Sequence, residues 1–163
     1  MLIGLATGFW LFAVTVATLS SVFAQSNTLN SALTDQVTAF YRFHFTHDMA
    51  FTREAVKARA AWFTPELLKI CASYFASPAV TDQVPIIDGD PFTDSQEYPN
   101  GFEIGIPKQF RSTALVPVTF RWSDGRKGSL SVAVVMQSRK WLINDFKYPD
   151  GSSLRSLISK SKP

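Results

Sequence analysis

Two histidines, His44 and His47, are the first residues of this sequence whose type and spacing could bind a metal ion, and Asp48 follows them directly. Imidazoles three residues apart near a helix end could supply two zinc ligands. A zinc site needs a third protein ligand, however, and the general-base glutamate of a His-Glu-x-x-His motif is missing. We therefore expect no metal here: His44 should border the buried helix face, and His47 should interact with the helix C-terminus.

Carboxylates form a second group of candidate ligands, on a stretch rich in turn residues: Asp88, Asp90, Asp94 and Glu97. Hard oxygen ligands suit calcium, but an EF-hand frame would place Phe92, Thr93 and Pro99 at its fifth, sixth and twelfth positions, so the frame fails. The sequence predicts a long loop instead. Asp88 and Asp90 should cap turns by accepting hydrogen bonds from backbone N–H groups, and Phe92 should pin the loop to the core.

A third set could perform acid–base chemistry if it met inside an apolar cavity: Tyr41, Trp141 and Asp145. Burial there would raise the pKa of a carboxyl group and make it a general base. The alternative is that Asp145 only satisfies a backbone or arginine donor. The sequence has no Gly-rich phosphate loop and no serine nucleophile elbow, and its single cysteine, Cys71, lies in an apolar helical run typical of a buried thiol. We expect no cofactor and, on balance, no catalysis.

The elements that must position these residues begin with helices. Apolar side chains recur at three- and four-residue spacing, which predicts an amphipathic first helix: Leu29, Leu33, Val37, Phe40, Tyr41 and His44. A second helical stretch is predicted from Phe51 to Phe63. A third runs from Thr64 to Phe75, because Thr64, Pro65 and Glu66 are typical of a cap, a first-turn proline and a first-turn acid.

Strands follow the helices. Apolar residues alternate in four segments, over residues 102–106, 114–122, 130–136 and 141–148. Asp124-Gly125 predicts a type I′ hairpin turn, and Gln137 to Lys140 should close the next hairpin. Pro107 and Pro117 cannot donate ladder hydrogen bonds and should mark a bulge or a free strand side that bends the sheet. The fold class predicted is α+β, with N-terminal helices packed on one concave face of a bent, antiparallel, four-stranded meander that encloses a pocket.

The first 24 residues differ from the rest. No residue is charged from Leu2 to Ala24, and the small side chains at Val22 and Ala24 are typical of a cleavage site before Gln25. We expect a signal peptide over residues 1–24, one domain over residues 25–163, and a periplasmic or secreted protein. An uncleaved leader would be the only contact with a membrane.

Charge is unevenly spread along the 163 residues, whose formal net charge is +3. Residues 82–103 contain six acids and no base, whereas eleven bases and three acids follow from Lys108 onward. These charges are either solvated faces and turn tips or a surface of two signs that docks a charged partner. A nucleic-acid partner is not expected, because the bases are scattered over hairpin ends beside the acidic cluster.

Four short motifs together resemble a known family: Val37-x-x-Phe40-Tyr41, Phe63-Thr-Pro-Glu-Leu67, Asp90-Pro-Phe-x-x-x-Gln96-Glu97 and Trp141-x-Ile-x-Asp145. They look like the DUF3828 group of exported bacterial proteins, within the nuclear-transport-factor-2-like (cystatin-like) cones. Gln96-Glu97 stands where that pattern has Gln-Asp. The resemblance implies a cone, and we expect the loop from Asp88 to Glu97 to form its rim.

The family's own function is undefined, and related cones act as enzymes, ligand-binding modules and toxin-blocking immunity proteins. We expect an exported, non-catalytic binding module of the cell envelope that takes a protein or small-molecule ligand, with an immunity role as one specific form. The alternatives are a small-molecule enzyme that uses a carboxylate in the cavity and a structural envelope domain. The candidate binding residues are Tyr41, Asp90, Gln96, Glu97, Trp141 and Asp145.

Overall fold

The structure is a computed structural model, which describes residues 31–77 and 87–160. The predicted signal peptide over residues 1–24 lies outside the described residues. Four α-helices are present in the described ranges: α1 over residues 31–44, α2 Arg53–Ala58, α3 Pro65–Phe75 and α4 Leu154–Lys160. A short 3-10 helix, Ala60–Trp62, follows α2. Within these residues, none of the helices has the length and apolarity that a membrane span requires.

Local sequence explains where α3 begins. The Thr64 hydroxyl accepts a hydrogen bond from the backbone N–H of Leu67 at 3.1 Å, with Pro65 at the first helical position and Glu66 in the first turn. This confirms the predicted start. The second helix is shorter than predicted: α2 ends at Ala58, because Arg59 leaves helical angles (φ −95°, ψ 6°), and the 3-10 turn and the extended residues Phe63 and Thr64 follow. A residue that precedes proline avoids helical angles, so the helix cannot continue to Phe63 and on into α3.

The sheet has five antiparallel strands: β1 Gly101–Ile104, β2 Lys108–Phe110, β3 Thr113–Arg121, β4 Lys127–Gln137 and β5 Lys140–Lys147. Their order is β1-β3-β4-β5, and β2 also pairs with β3. This corrects the predicted four strands: the first predicted strand, over residues 102–106, ends at Ile104, and after an interruption over residues 105–107 the chain forms β2, which was not predicted. The interruption contains Pro107 and lies opposite Pro117, whose carbonyl accepts from the Gly105 N–H at 2.8 Å. The two prolines thus stand at the break, as predicted for residues that cannot donate to a ladder.

The backbone of the β3–β4 turn differs from the prediction, whereas residues 137–140 close the β4–β5 hairpin as predicted. Among the residues between β3 and β4 only Gly125 has a positive φ, 86°, so the predicted type I′ turn is wrong there, since that type needs two such residues in succession. The β4–β5 turn does have two, Ser138 at 48° and Arg139 at 64°. Side chains other than glycine therefore occupy left-handed backbone positions at this turn.

The core lies between the helices and one face of the sheet. The Tyr41 ring of α1 lies 5.4 Å from the ring of Phe120 in β3, and the Phe40 ring lies 5.8 Å from that of Phe146 in β5. All four side chains are fully buried. An irregularity in the β4–β5 pairing leaves Asp145 and Phe146 buried in succession, which simple alternation does not predict. The α+β class predicted from the sequence is confirmed.

Candidate functional site

The loop over residues 88–97, which we name the pinned loop, is closed by its own backbone. The N–H of Asp90 donates to the carbonyl of Ser95 at 2.8 Å, and the N–H of Ser95 donates back at 3.3 Å. Gly89 enters this closure with φ +94°, and a Cβ there would lie 2.5 Å from the Ser95 oxygen. Only glycine combines that angle with such a close approach. The backbone of the pinned loop is therefore held in one conformation.

Phe92 fixes the pinned loop from inside. Its fully buried ring lies 5.0 Å from the ring of Phe146 and 5.6 Å from that of Phe63. Two tyrosine hydroxyls hold the adjoining backbone: Tyr41 donates to the Phe92 carbonyl at 2.8 Å, and Tyr148 donates to the Pro91 carbonyl at 3.0 Å. The prediction that Phe92 pins this loop to the core is confirmed.

Asp90 supplies further polar contacts between the pinned loop and the core. We name these contacts, together with the buried Phe92 ring and the two tyrosine hydroxyls, the anchor. It is 1% exposed, and its Oδ1 accepts from the Phe92 N–H at 2.9 Å, as predicted for a turn cap. Its Oδ2 lies 2.6 Å from the Thr93 hydroxyl and 2.8 Å from Nε2 of His44. Asp88 differs from the prediction, because its carboxylate accepts from the Gln96 side-chain amide and not, as expected, from a backbone N–H of the described residues.

The chain of hydrogen bonds continues from His44 to Arg59. Nε of Arg59 donates to Nδ1 of His44 at 2.9 Å. Because a guanidinium group only donates, Nδ1 must accept, and the proton of the neutral imidazole then lies on Nε2, which donates to Asp90. Arg59 is 1% exposed and also donates to the carbonyls of Ala55 and Asp48. Burial lowers the pKa of Arg59, and the charges of Asp90 and Asp48 oppose that shift.

Outside this anchor, the rim residues of the pinned loop face solvent: Asp88, Asp94, Gln96 and Glu97. The Glu97 carboxylate pairs with the guanidinium of Arg126, which also donates to Asp124 at 2.6 Å. The Glu97 carbonyl accepts from the indole N–H of Trp122 at 2.7 Å. These contacts attach the rim to the β3–β4 hairpin.

Two open clefts flank the pinned loop. The first, which we name the Asp94 cleft, has a volume of about 250 Å³ and is bordered by apolar residues and by Asp88, Asp90, Asp94 and Gln96. None of the described residues that line it is a base. The second, of about 480 Å³, lies between residues 94–97 and the hairpin residues Trp122 and 126–128. Of the six candidate residues, Asp90, Gln96 and Glu97 therefore border at least one cleft.

Asp94 carries an unfavourable charge. Burial raises its pKa, and the nearby carboxylate of Asp150 raises it further. Its backbone is left-handed, with φ 55°, a conformation that asparagine tolerates well. Burial and the charge of Asp150 both disfavour the ionised aspartate in the folded protein, and a cation in the cleft or loss of the charge would relieve both effects.

We predict from this that Asp94→Asn raises the free energy of unfolding at neutral pH. The carboxyl pKa is higher in the folded than in the unfolded chain, so the folded state binds more protons between the two values and loses stability as pH rises through them. The gain from the substitution should therefore shrink as pH falls from the raised folded pKa towards about 4, the value of an unperturbed aspartate, and disappear below it. Urea unfolding at several pH values measures it, and a gain independent of pH would show that the carboxylate charge is not its cause.

The other three candidates are held in separate places. The Tyr41 hydroxyl is used by the pinned loop, and burial, followed by the charge of Asp90, raises its pKa well above the ordinary value. Asp145, 4% exposed, accepts from the backbone N–H groups of Phe146 and Arg155 and lies 2.8 Å from Nζ of Lys147. Trp141 is buried, and its indole N–H has no partner among the described residues. The structure therefore brings Tyr41 to the pinned loop, which contains Asp90, but holds Asp145 at the start of α4.

The two histidines and the cysteine contact the protein's own helices and core. Nδ1 of His47 lies 2.8 Å from the Phe43 carbonyl in the last turn of α1, so the predicted contact with the helix C-terminus is confirmed. His44 is fully buried. Cys71 is buried as well, and this burial raises the pKa of its thiol to about 12. Within residues 31–77 and 87–160, no group of three or more His, Cys, Asp or Glu side chains could hold a metal ion.

Sequence reasoning missed Arg59, Thr93 and Tyr148, which complete the anchor. Arg59 follows the buried Ala55 and Val56 at four- and three-residue spacing, so it shares their face of α2. A base on an apolar helix face was the available signal, since an unpaired charge is costly to bury. Thr93 and Tyr148 offered no comparable signal.

Searches of protein-family models, curated proteins and solved structures return no match to this chain. The described geometry alone therefore defines its class. It is an α+β protein with helices on one face of a five-stranded antiparallel sheet, and an acidic loop anchored in the core borders two clefts at one end of that sheet.

Proposed function

We propose that this protein is an exported, non-catalytic binding module, and that its ligand contacts the rim of the pinned loop. The observation that carries the proposal is the contrast between the two sides of that loop. Asp90, Pro91, Phe92 and Thr93 are buried, whereas Asp88, Asp94, Gln96 and Glu97 are exposed beside two clefts. A loop that is already ordered loses less conformational entropy when a ligand binds.

The charge of the Asp94 cleft favours a cationic ligand. Asp88 and Asp94 are exposed at its edge, and no described lining residue is a base. Ile87, Tyr148 and Leu157 supply apolar walls beside these carboxylates. A group with a positive charge at the end of a short apolar chain fits this combination, as found in a lysine side chain of a protein partner or in a small amine.

The geometry gives less support to the enzymatic alternative. A general base needs a reachable lone pair, and the carboxylate oxygens of Asp145 already face two backbone N–H groups and an ammonium group. Tyr41 is fully buried, and its raised pKa keeps its proton on the hydroxyl that holds the pinned loop. The residues considered for catalysis thus support the loop or the start of α4.

We also propose that the fold is a nuclear-transport-factor-2-like cone related to the DUF3828 group and that the chain acts in the periplasm or outside the cell. Support for the family comes from the motif residues Asp90, Phe92 and Tyr41, which form one anchor. Support for export comes from the uncharged residues 2–24 of the sequence.

Pentylamine and its neutral analogue pentanol test the binding proposal. We expect pentylamine, followed by ¹H–¹⁵N NMR, to shift the amide signals of residues 88–97 saturably, and pentanol to do so far less. Asp88→Asn combined with Asp94→Asn should weaken the binding about five- to thirtyfold, since an exposed ion pair contributes up to about 1 kcal/mol.

Asp35→Asn combined with Glu54→Gln is the matched control, because it removes two exposed acids from α1 and α2. This control variant should bind pentylamine as the unchanged protein does. Equal binding of pentanol and pentylamine, or undiminished binding by the Asp88/Asp94 variant, would refute a cation site in this cleft.

A further inference from the structure

We propose that the end of the sheet opposite the pinned loop docks on an anionic membrane surface, which differs from the expectation that an uncleaved leader would be the only contact with a membrane. We name this region the basic end; it consists of residues 106–112, which contain β2 and the turn after it, and of residues 137–140, which form the β4–β5 turn. The two parts are adjacent, because the Met136 N–H donates to the Ser112 carbonyl at 2.7 Å. The proposal does not depend on the ligand of the pinned loop.

Apolar side chains project from the basic end into solvent. Ile106 is 82% exposed and Phe110 is 68% exposed, and Leu115 on the neighbouring strand is 37% exposed. Single exposed apolar residues are common on protein surfaces. In the basic end two large apolar side chains, those of Ile106 and Phe110, lie four residues apart. From Phe110, a row of paired residues crosses the outer face of the sheet through Thr113, Val135 and Leu142.

Bases surround these apolar side chains: Lys108, Arg111, Arg139 and Lys140, all exposed. Residues 105–144 contain a single acid, Asp124, which belongs to the β3–β4 turn at the other end of the sheet. Glu66, in the first turn of α3, lies next to this region, and its carboxylate accepts from Gln137 at 3.5 Å. The basic end therefore presents a positive potential around apolar tips.

Two arginines occupy left-handed backbone positions at the tips of these turns. Arg111 has φ 53° and Arg139 has φ 64°, values that favour glycine or asparagine. Left-handed residues of other types persist where the surrounding structure imposes them, and they concentrate at functional positions. Two arginines at such positions are a second observation that points to this end of the sheet.

An anionic bilayer fits this surface better than a protein does. A second copy of the chain would bring four bases against four bases, which repel each other. A stable protein interface covers about 800 Å² on each partner with closely packed side chains, whereas Ile106 and Phe110 project separately from turn-rich segments. Projecting apolar side chains enter the boundary of the acyl chains while nearby bases meet anionic headgroups.

This contact would orient the molecule. The nine residues of β3 separate the basic end from the β3–β4 hairpin that holds the rim of the pinned loop. Nine extended residues span roughly 30 Å. The clefts beside the pinned loop would then face away from the bilayer and stay open to ligand.

Vesicle co-sedimentation of the full chain tests the proposal. We expect binding to vesicles of equal parts phosphatidylglycerol and phosphatidylcholine to exceed binding to phosphatidylcholine alone, and the excess to fall as salt rises. Lys108→Gln with Lys140→Gln should weaken the excess binding about 25-fold, since each base near an anionic surface contributes about fivefold. Phe110→Ser should weaken it about tenfold.

Matched control variants remove two lysines and one aromatic ring outside the basic end. Lys57→Gln with Lys69→Gln takes two exposed bases from α2 and α3, and Tyr98→Ser takes an aromatic ring that is 52% exposed. Both control variants should bind within about twofold of the unchanged chain. Equal binding to the two vesicle types, or an equal loss in the Lys57/Lys69 variant, would overturn the proposal. So would binding to soluble polyglutamate without binding to anionic vesicles, which would identify an acidic protein as the partner.

Discussion

Replacing Phe92 with alanine is expected to lower the free energy of unfolding by about 3–5 kcal/mol. The ring is fully buried and contacts aromatic side chains on several sides, including Phe40 at 5.8 Å and Phe146 at 5.0 Å. Alanine would leave a cavity that these rings cannot fill without moving from their own contacts. The guanidinium carbon of Arg59 lies 5.8 Å from the Phe92 ring centre, so a cation–π contact would be lost as well.

Urea unfolding followed by circular dichroism measures this loss, with linear extrapolation to water. Phe110→Ala is the matched control, since that ring is 68% exposed, and it should change the free energy of unfolding by less than about 0.5 kcal/mol. If Phe92→Ala does not fold, Phe92→Leu retains most of the apolar volume and should cost less than about 1.5 kcal/mol. A Phe92→Ala protein as stable as the control would show that the ring does not anchor the loop.

The parts of the fold that local chemistry determines could be predicted from the sequence. Thr64, Pro65 and Glu66 determine the start of α3 within three residues, and alternating apolar side chains determine which strand faces are buried. Turn geometry was harder, because it depends on the twist and register of both strands. Asp124-Gly125 has the sequence of a type I′ turn but not its backbone, whereas Ser138-Arg139 has the backbone without the sequence.

In the candidate site, too, local features could be predicted from the sequence and long-range contacts could not. The turn residues around Asp90 predict a capped loop and an inward Phe92, and both are present. The link from Asp90 to His44 joins residues 46 positions apart in the chain, and no local pattern encodes such a contact. Asp145 shows the converse failure: its place in a Trp-x-Ile-x-Asp strand motif suggests a cavity, whereas a strand irregularity directs it to the backbone of α4.

The anchor explains how an acidic loop can remain ordered. Carboxylates crowded on a loop repel one another and would favour an extended, mobile segment. In this protein one of these carboxylates, that of Asp90, is buried in the core and not exposed at the rim. It is bonded to His44, which is bonded to the positively charged Arg59. The hydrogen-bonded chain of Asp90, His44 and Arg59, which we name the buried ion group, thus holds the rim in place. Asp88 and Asp94 can then bind a ligand without further ordering of the loop.

Breaking that ion group gives the second large effect that we predict. Asp90→Asn should lower the free energy of unfolding by about 3–5 kcal/mol, because it removes the buried counter-charge of Arg59 and leaves only the exposed Asp48 nearby. Arg59→Met should cost a similar amount, since it leaves Asp90 charged at 1% exposure. Urea unfolding at neutral pH measures both, with Asp35→Asn as the exposed acid control, which should change stability by less than about 0.5 kcal/mol.

The double variant Arg59→Met with Asp90→Asn separates pairing from packing. If the two charges stabilise each other through His44, removing both leaves no isolated buried charge, and the double variant should lose at least about 1 kcal/mol less than the sum of the single losses. Losses that add within about 0.5 kcal/mol would show that the two residues act independently. Amide hydrogen exchange gives a local readout: Asp90→Asn should speed exchange at Phe92 and Ser95, whose N–H groups are bonded within the loop closure, before it affects the strands.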